Sequence, residues 1–325
     1  MTRVDKELEP AAIRSAIERI PAELRGGAQY VDERLSERAG IPVIVKVETV
    51  NPVRSYKGRG TWLAIRELAA RGRLGPDRPV VVASTGNFGQ GAGYAGRALG
   101  VPVRVFADDH ANPVKLERIR RLGATVVQSG RDFDEAREAA AEDARRSGSL
   151  LLVDGEEPWV ATGAATIALE VTDAVARGEL PAPTAAYVPV GNGALIVGIG
   201  AWLRHAAPAC RIIGIQSDAA PSMTLSWRAG RPIETEDAAT IAEGIATRVP
   251  VPEALEMMVD RVDDMRLVRE GDLPAATTEL GGAVGVTAEA AAGASWAGVL
   301  ADAGRTGVAL VIVTGANVVP PAATR

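Results

Sequence analysis

The sequence predicts an α/β protein in which mostly parallel strands are covered by helices. Short runs rich in valine and isoleucine alternate along the chain with longer segments of helical period, rich in alanine, arginine, glutamate and leucine. The chain has 325 residues, of which 47% are hydrophobic, and this length exceeds the size at which a single core stops growing. We therefore expect two domains that share an interface.

The strands and helices are placed by these runs. Short apolar runs predict strands at 43–47, 80–83, 103–106, 125–128, 151–153, 185–190, 212–216, 265–268 and 308–313. Apolar residues three and four positions apart predict helices at 61–71, 88–99, 114–122, 132–146, 163–176, 194–205, 253–259 and 288–303. Further helices are expected in most of the remaining gaps.

Composition limits the classes of function. The formal charge is −5 with interspersed Arg and Glu, which argues against a nucleic-acid partner and favours a small-molecule substrate. No apolar run approaches the roughly 20 residues that a membrane helix requires, so no membrane partner is expected. The single cysteine, Cys210, and a start without a signal-peptide pattern predict a cytoplasmic protein.

Lys57 is the first candidate for chemistry. The chain has 36 basic residues but only four lysines, and this one lies in Asn51-Pro-Val-Arg-Ser-Tyr-Lys57-Gly-Arg-Gly60, between an apolar run and a helical segment. Lysine is the ordinary side chain that condenses with an aldehyde cofactor, so the placement indicates a Schiff-base lysine. A solvated charge is the alternative, and it is what we expect of Lys6 and Lys115 on helical stretches.

Two strand-to-helix junctions carry glycine and polar residues. The first, Ser84-Thr-Gly-Asn87, offers hydroxyl groups and free helix N–H groups that suit a carboxylate, although a simple N-cap is the alternative. In the second, Gly191-Asn-Gly-Ala-Leu195, small residues let backbone amides surround a phosphate at the positive end of a helix. A phosphate loop, an anion-binding turn and an aldehyde-binding lysine together indicate pyridoxal phosphate.

The second junction could instead be half of a dinucleotide-binding loop. Ile196 replaces the third glycine of that fingerprint, and the following strand, Ile212-Ile-Gly-Ile-Gln216, does not end in an acidic residue. A nicotinamide cofactor is therefore the weaker interpretation.

Seven motifs in chain order resemble those of the fold-type II pyridoxal-phosphate enzymes, and most of all those of the serine/threonine dehydratases and serine racemases. The motifs are Asn51-Pro…Ser55-Tyr-Lys57-Gly-Arg-Gly60, Ser84-Thr-Gly-Asn87, Gly155-Glu-Glu-Pro158, Thr166-Ile-Ala-Leu-Glu170-Val, Gly191-Asn-Gly-Ala-Leu195, Ala242-Glu-Gly-Ile245 and Thr314-Gly-Ala-Asn317. The resemblance implies two open twisted, mostly parallel sheets flanked by helices. It also implies a large cofactor-binding domain, 1–60 with 156–325, and a small domain, 61–155.

The resemblance also implies roles around the cofactor. Lys57 would form the Schiff base and move the substrate's α-proton, while Tyr56 would pack near the cofactor ring. Thr314, where relatives commonly have serine, would hydrogen-bond the pyridine nitrogen, and Gly244 would contact the cofactor. The phosphate would be bound by the backbone of Gly191, Asn192, Gly193, Ala194 and Leu195.

Substrate binding is implied for the first junction and for a distant glutamate. The substrate carboxylate would be held by Ser84, Thr85, Gly86 and Asn87. Ser84 and Thr85 are also catalytic candidates, and Asn87 would reach the cofactor's phenolic oxygen. Thr85 stands where racemases have serine, and its methyl group favours elimination over racemisation. Glu289 matches a glutamate near the active site of relatives, with a solvated helix-surface carboxylate as the alternative.

The implied activity is that of a lyase. A serine- or threonine-like β-hydroxy amino acid would lose its hydroxyl and its amino group, giving a 2-oxo acid and ammonia. A β-replacement synthase, similar to cysteine or threonine synthases, an amino acid racemase and an idle or nucleotide-binding protein are the alternatives. Gln216 and Ser222 stand where the dehydratases and racemases have acidic metal ligands, so no tightly bound divalent cation is expected. A homodimer is the expected assembly.

Overall fold

The computed structural model describes residues 6–131 and 133–318, and it confirms the predicted α/β architecture. Elements are numbered along the chain. A larger sheet contains β1 (Gln29–Val31), β2 (Val43–Val47), β7 (Ala185–Pro189), β8 (Arg211–Ser217), β9 (Asp264–Val268) and β10 (Ala309–Val313). Its strand order is β1-β2-β10-β7-β8-β9, and all neighbours are parallel except β1, which is antiparallel to β2.

The smaller sheet is entirely parallel. It contains β3 (Val80–Ala83), β4 (Val103–Ala107), β5 (Thr125–Gln128) and β6 (Leu150–Leu151), in the order β5-β4-β3-β6. The prediction for β6 was 151–153, and the strand ends earlier because residues 153–157 turn away from the sheet, with the N–H of Glu157 donating to the carbonyl of Val153. Every other predicted strand is confirmed to within one residue at either end.

Helices cover both sheets. They are α1 (Pro10–Arg19), α2 (Glu33–Ala39), α3 (Lys57–Ala70), α4 (Asn87–Leu99), α5 (Pro113–Arg121), α6 (Phe133–Ser147), α7 (Pro158–Ala176), α8 (Ala194–Ala206), α9 (Ser222–Ala229), α10 (Pro252–Met258), α11 (Leu273–Val284) and α12 (Ala290–Ala301). The predicted start of α6, Asp132, lies outside the described residues. Within the described ranges, no helix combines the length and the apolar character that crossing a membrane requires.

Two helices begin four or five residues earlier than predicted, and both differences matter for the site. Helix α3 begins at Lys57 rather than at residue 61, so the candidate lysine occupies the first helical position. Helix α7 begins at Pro158 rather than at residue 163, because Pro suits the first turn and the Glu157 side chain accepts the N–H of Trp159. A Cβ on Gly163 of α7 would lie 2.6 Å from the Cα of Gly60, so the two helices touch along their glycines.

A network of buried ion pairs holds the start of α3 against β2 and α7. Arg59 donates to both oxygens of Glu48 at 2.7 and 2.8 Å, and to both oxygens of Glu170 at 2.8 and 2.9 Å. Lys46 of β2 donates to Glu170 at 2.6 Å, and Thr166 accepts from Arg59 at 3.0 Å. All four carboxylate oxygens therefore accept a hydrogen bond, and the network ties β2, α3 and α7 together.

Candidate active site

A cavity of about 340 Å³ opens where the carboxyl ends of β3, β7 and β10 face the start of α3. Both sheets contribute to it, so segments far apart in sequence meet there. The predicted site residues that line it are Tyr56, Lys57, Ser84, Thr85, Gly86, Asn87, Gly191, Asn192, Gly193, Leu195, Gly244, Glu289 and Thr314. Ala194 differs, because its side chain packs into the hydrophobic core beside the smaller sheet.

Lys57 points into this cavity from the first turn of α3. Its Nζ lies 2.5 Å from Oδ2 of Asp154, 4.9 Å from the centre of the Tyr56 ring and 5.8 Å from that of Phe88. Burial acts to lower the pKa of Lys57, but the charges and hydrogen bonds of Asp154 and Tyr56 together outweigh it and raise that pKa above its usual value. Its side chain is only 13% exposed.

The segment before Lys57 is fastened to the end of β10. The N–H of Tyr56 donates to the carbonyl of Thr314 at 3.1 Å, and the Ser55 hydroxyl donates to the same carbonyl at 3.0 Å. These bonds place Lys57 and Thr314 on neighbouring walls of the cavity.

The 84–87 turn has a structural role at the start of α4 as well as a place in the cavity wall. The Ser84 hydroxyl oxygen accepts the N–H groups of Gly86 at 3.1 Å and Gly89 at 3.0 Å, so it does cap the helix start. The turn also lines the cavity, and a hydroxyl that accepts two bonds still has its own proton to donate.

Glu289 lies in the cavity wall, so the alternative of a solvated surface carboxylate is wrong. The Asn87 amide donates to its two oxygens at 3.1 and 2.9 Å, and the N–H of Asn317 donates at 2.7 Å. Burial raises the pKa of Glu289, and these hydrogen bonds offset part of that effect. Glu289, just before α12, thereby holds Asn87 at the start of α4 in place.

Two positions of the 191–195 loop, Gly191 and Gly193, leave no room for a side chain. Gly193 has φ +95°, a left-handed conformation that favours glycine, and it lies just before α8. A Cβ on Gly191 would lie 2.6 Å from the carbonyl oxygen of Gly244. The predicted phosphate loop and the 242–245 motif are therefore in direct contact.

Several residues of the cavity wall were missed as site residues. Asp154 follows a predicted strand, and its place at the carboxyl end of the smaller sheet was the available signal. Gln90 of α4 is completely buried, and neither of its amide atoms has a hydrogen-bond partner among residues 6–131 and 133–318. Lys115 was expected to be solvated, but its side chain is 17% exposed, lines the cavity and pairs with Glu243.

The positions compared with the metal ligands of relatives are taken up by protein contacts. Gln216 accepts from the N–H of Thr224 at 2.8 Å and from its hydroxyl at 2.9 Å, while the Ser222 hydroxyl donates to the carbonyl of Thr247 at 2.5 Å. In the described part of the chain, no three His, Cys, Asp or Glu side chains are grouped as metal ligands. The expectation of no tightly bound divalent cation stays a prediction.

Residues 30–315 match the sequence model of a protein family described as pyridoxal-phosphate dependent enzyme. The chain is 34% identical over 268 residues to L-threonine ammonia-lyase of Geobacter sulfurreducens, covering 82% of this chain and 65% of that protein. It is 33% identical over 285 residues to L-threonine ammonia-lyase of Thermotoga maritima, covering 87% and 69%. The chain thus spans about two thirds of the length of these two relatives.

Solved structures show the same fold. The processed form of threonine deaminase isoform 2 from Solanum lycopersicum superposes with a TM-score of 0.84 at 27% identity, covering 95% of this chain and 91% of that one. Maize serine racemase superposes with a TM-score of 0.88 at 21% identity, covering 96% and 94%. The predicted fold-type II architecture is confirmed.

Proposed function

The chain belongs to the pyridoxal-phosphate dependent enzymes, and from that premise we propose that it catalyses β-elimination on a serine- or threonine-like amino acid, releasing a 2-oxo acid and ammonia. One observation carries the proposal. A lysine amine, a polar turn at the start of α4 and a glycine loop at the start of α8, from three separate segments, meet in one cavity. The two bacterial relatives named as L-threonine ammonia-lyases support the reaction class.

The cavity residues fit pyridoxal phosphate. Gly191 and Gly193 leave no room for a Cβ, since one on Gly193 would lie 2.8 Å from the Cβ of Ala254, and the 191–193 segment lines the cavity. Backbone N–H groups at the start of α8 and its dipole suit a phosphate there. Gln90 and Asp154 also have buried polar atoms that find no hydrogen-bond partner within the described ranges, as expected of a wall that faces a polar ligand.

We assign the cofactor contacts accordingly. Lys57 would hold the aldehyde carbon, Thr314 the pyridine nitrogen and Asn87 the phenolic oxygen, with Tyr56 beside the ring. When bound, pyridoxal phosphate supplies an electron sink for the charge that develops at the substrate's Cα. The phosphate contacts would come from the backbone at Gly191, Asn192, Gly193, Ala194 and Leu195, with Gly244 next to them.

Lys57 would act as the base. Neutral once the substrate's amino group has displaced it from the aldehyde carbon, its Nζ would take the α-proton, and the carboxylate of Asp154, 2.5 Å away, would stabilise the resulting ammonium. A positioned base of this kind contributes about 10²- to 10⁴-fold to the rate. Ser84, Thr85, Gly86 and Asn87 would hold the substrate carboxylate, which fixes the Cα–H bond relative to Lys57.

The choice of elimination over racemisation depends on Thr85. A racemase needs a second proton carrier on the face opposite the lysine, and Thr85 would have to supply it. The methyl group of threonine restricts how its hydroxyl can turn, which favours elimination.

The domain division and the assembly belong to this proposal. The smaller sheet contains strands from residues 80–151, and all strands of the larger sheet lie before or after them, which supports a small domain at 61–155 and a large one at 1–60 with 156–325. We propose a homodimer in the cytoplasm. Resemblance to the family supports the homodimer, and the single cysteine supports the cytoplasmic location.

The test is a substrate panel on the purified holoenzyme. The visible absorbance of protein-bound cofactor is recorded first, and release of 2-oxo acid is then followed with L-serine, L-threonine and their O-acetyl derivatives. We expect 2-oxo acid from L-serine or L-threonine without any added nucleophile. Turnover that requires an O-acetyl substrate and an added nucleophile would point to β-replacement, and formation of D-serine without 2-oxo acid would point to racemisation.

A further inference from the structure

Asp154 lies between the two loops that the proposed function uses. It follows β6 at the carboxyl end of the smaller sheet, next to β3, which leads into the 84–87 turn. Gly155 has φ +98°, and a Cβ there would lie 2.4 Å from the carbonyl oxygen of Asn192 in the 191–195 loop. The backbone at Asp154 is therefore held between the smaller sheet and that loop.

The two carboxylate oxygens of Asp154 have different surroundings. Oδ2 accepts a hydrogen bond from Nζ of Lys57 at 2.5 Å. Oδ1 is buried, and no residue in the described ranges donates a hydrogen bond to it. Leaving a buried acceptor without a donor is unfavourable, so Oδ1 is expected to meet a donor when the cavity is filled.

The other acidic side chains of the cavity wall do not offer such an acceptor. Glu289 accepts from Asn87 and from the N–H of Asn317. Glu243 pairs with Lys115 at the cavity mouth, and its side chain is 68% exposed. Asp154 therefore presents a buried, unpaired carboxylate oxygen beside the catalytic amine.

We propose that Asp154 determines substrate specificity by accepting, through Oδ1, a hydrogen bond from an O–H or N–H donor on the β-carbon of the amino acid substrate. The inference rests on the proposed function. Lys57 must reach the hydrogen on Cα, and the β-carbon is bonded to that same Cα, so a carboxylate in contact with Nζ lies beside the β-substituent. A hydroxyl or ammonium group there meets its acceptor, an alkyl group leaves Oδ1 unpaired, and a second carboxylate is repelled.

The first test measures binding rather than turnover. Rapid mixing of holoenzyme with L-serine or L-alanine gives two dissociation constants, from the change in cofactor absorbance before turnover. These ligands differ only in the β-hydroxyl. A hydrogen bond to a charged acceptor predicts that the wild-type protein binds L-serine about ten- to a hundredfold more tightly. In Asp154→Ala the two constants are expected to agree to within about threefold, with that for L-alanine little changed.

The second test separates this role from support of Lys57. β-Chloroalanine carries a leaving group without a donor, and its elimination still needs Lys57 as base. Asp154→Asn, which keeps the size of the side chain, should lower kcat/KM for L-serine at least about tenfold more than for β-chloroalanine. The matched control is Glu156→Gln, which changes an exposed acidic residue in the same turn. It should leave kcat/KM unchanged for both L-serine and β-chloroalanine.

Two outcomes would overturn the inference. If Asp154→Asn lowers kcat/KM equally for L-serine and β-chloroalanine, Asp154 acts only through Lys57 or the fold. If the wild-type protein binds L-serine and L-alanine with equal dissociation constants, Oδ1 meets no donor. Failure of the proposed function looks different, because the wild-type protein would then release no 2-oxo acid from L-serine or from β-chloroalanine.

Discussion

Helix α3 carries two basic residues into two buried polar regions that differ in how completely they are paired. Arg59 enters the ion network, where both carboxylates and both cations have partners within hydrogen-bonding distance. Lys57, two positions earlier, enters the cavity, where Oδ1 of Asp154, both amide atoms of Gln90 and Oδ1 of Asn317 have no partner among the described residues.

The difference in pairing distinguishes a polar cluster that supports the fold from one that binds a ligand. Buried polar atoms in a folded protein are almost always hydrogen-bonded, so a completely paired cluster needs no further molecule. Unpaired atoms that share one cavity indicate a partner from outside the chain. On this criterion the ion network is a structural support for α3, and the cavity is a ligand site.

The largest expected effect is on the cavity side. Lys57→Ala should remove the base, a loss of at least about 10²- to 10⁴-fold in kcat, and with it the covalent anchor for the cofactor. Turnover and the visible absorbance of bound cofactor are both measured, with the exposed Lys6→Ala as control. A Lys57 variant with normal rate and normal absorbance would refute the site assignment.

On the network side, Arg59→Met should affect stability strongly. The change removes the guanidinium that pairs with both buried carboxylates, Glu48 and Glu170, and leaves only Lys46 beside them; breaking a buried ion pair in this way costs about 3–5 kcal/mol. Unfolding in urea measures the loss. Arg14→Ala, which removes an exposed pair with Asp173, should cost about 0–1 kcal/mol. Similar losses in both variants would mean that the network is not the support we describe.

The smallest expected effect is the pH dependence that Glu170 gives to stability. Burial would raise the pKa of Glu170, but its hydrogen bonds with Arg59 and the charges of Arg59 and Lys46 lower it to about 2. A carboxyl with a depressed folded pKa stabilises the protein above its unfolded pKa of about 4.3. That contribution, on the order of 3 kcal/mol, is lost as the pH falls from about 5 through 2.

Urea unfolding at a series of pH values tests this prediction. Glu170→Gln should have a smaller free energy of unfolding than the wild-type protein at neutral pH. The difference between the two free energies should decrease as the pH falls, because the neutral amide has no proton to gain. Glu37→Gln, an exposed carboxyl, should follow the wild-type curve. If the two free energies of unfolding differ by a constant amount across the pH range, the charge of Glu170 is not the cause of the difference.

Much of the fold could be predicted because its signals are local. The buried parallel strands β2 and β10 are continuous apolar runs, which any short window of sequence reveals. Strand β1 was missed because its three residues are only partly buried or exposed and show no such run. The starts of α3 and α7 were placed too late, because α3 begins with Lys57-Gly-Arg-Gly60, which has no apolar stripe, and α7 begins with a proline and has Gly163 in its second turn.

The sequence alone determined the fold class, because alternating strand and helix patterns are visible in short windows. It also determined the candidate lysine and the two glycine-bearing loops, because the residue types within each short segment indicate its chemistry. Only the tertiary structure decided that Glu289 holds Asn87, that Lys115 lines the cavity and that Asp154 contacts Lys57. The physical reason is that these contacts join residues about 100 to 200 positions apart, across two sheets, and local patterns carry no information about which distant side chains meet.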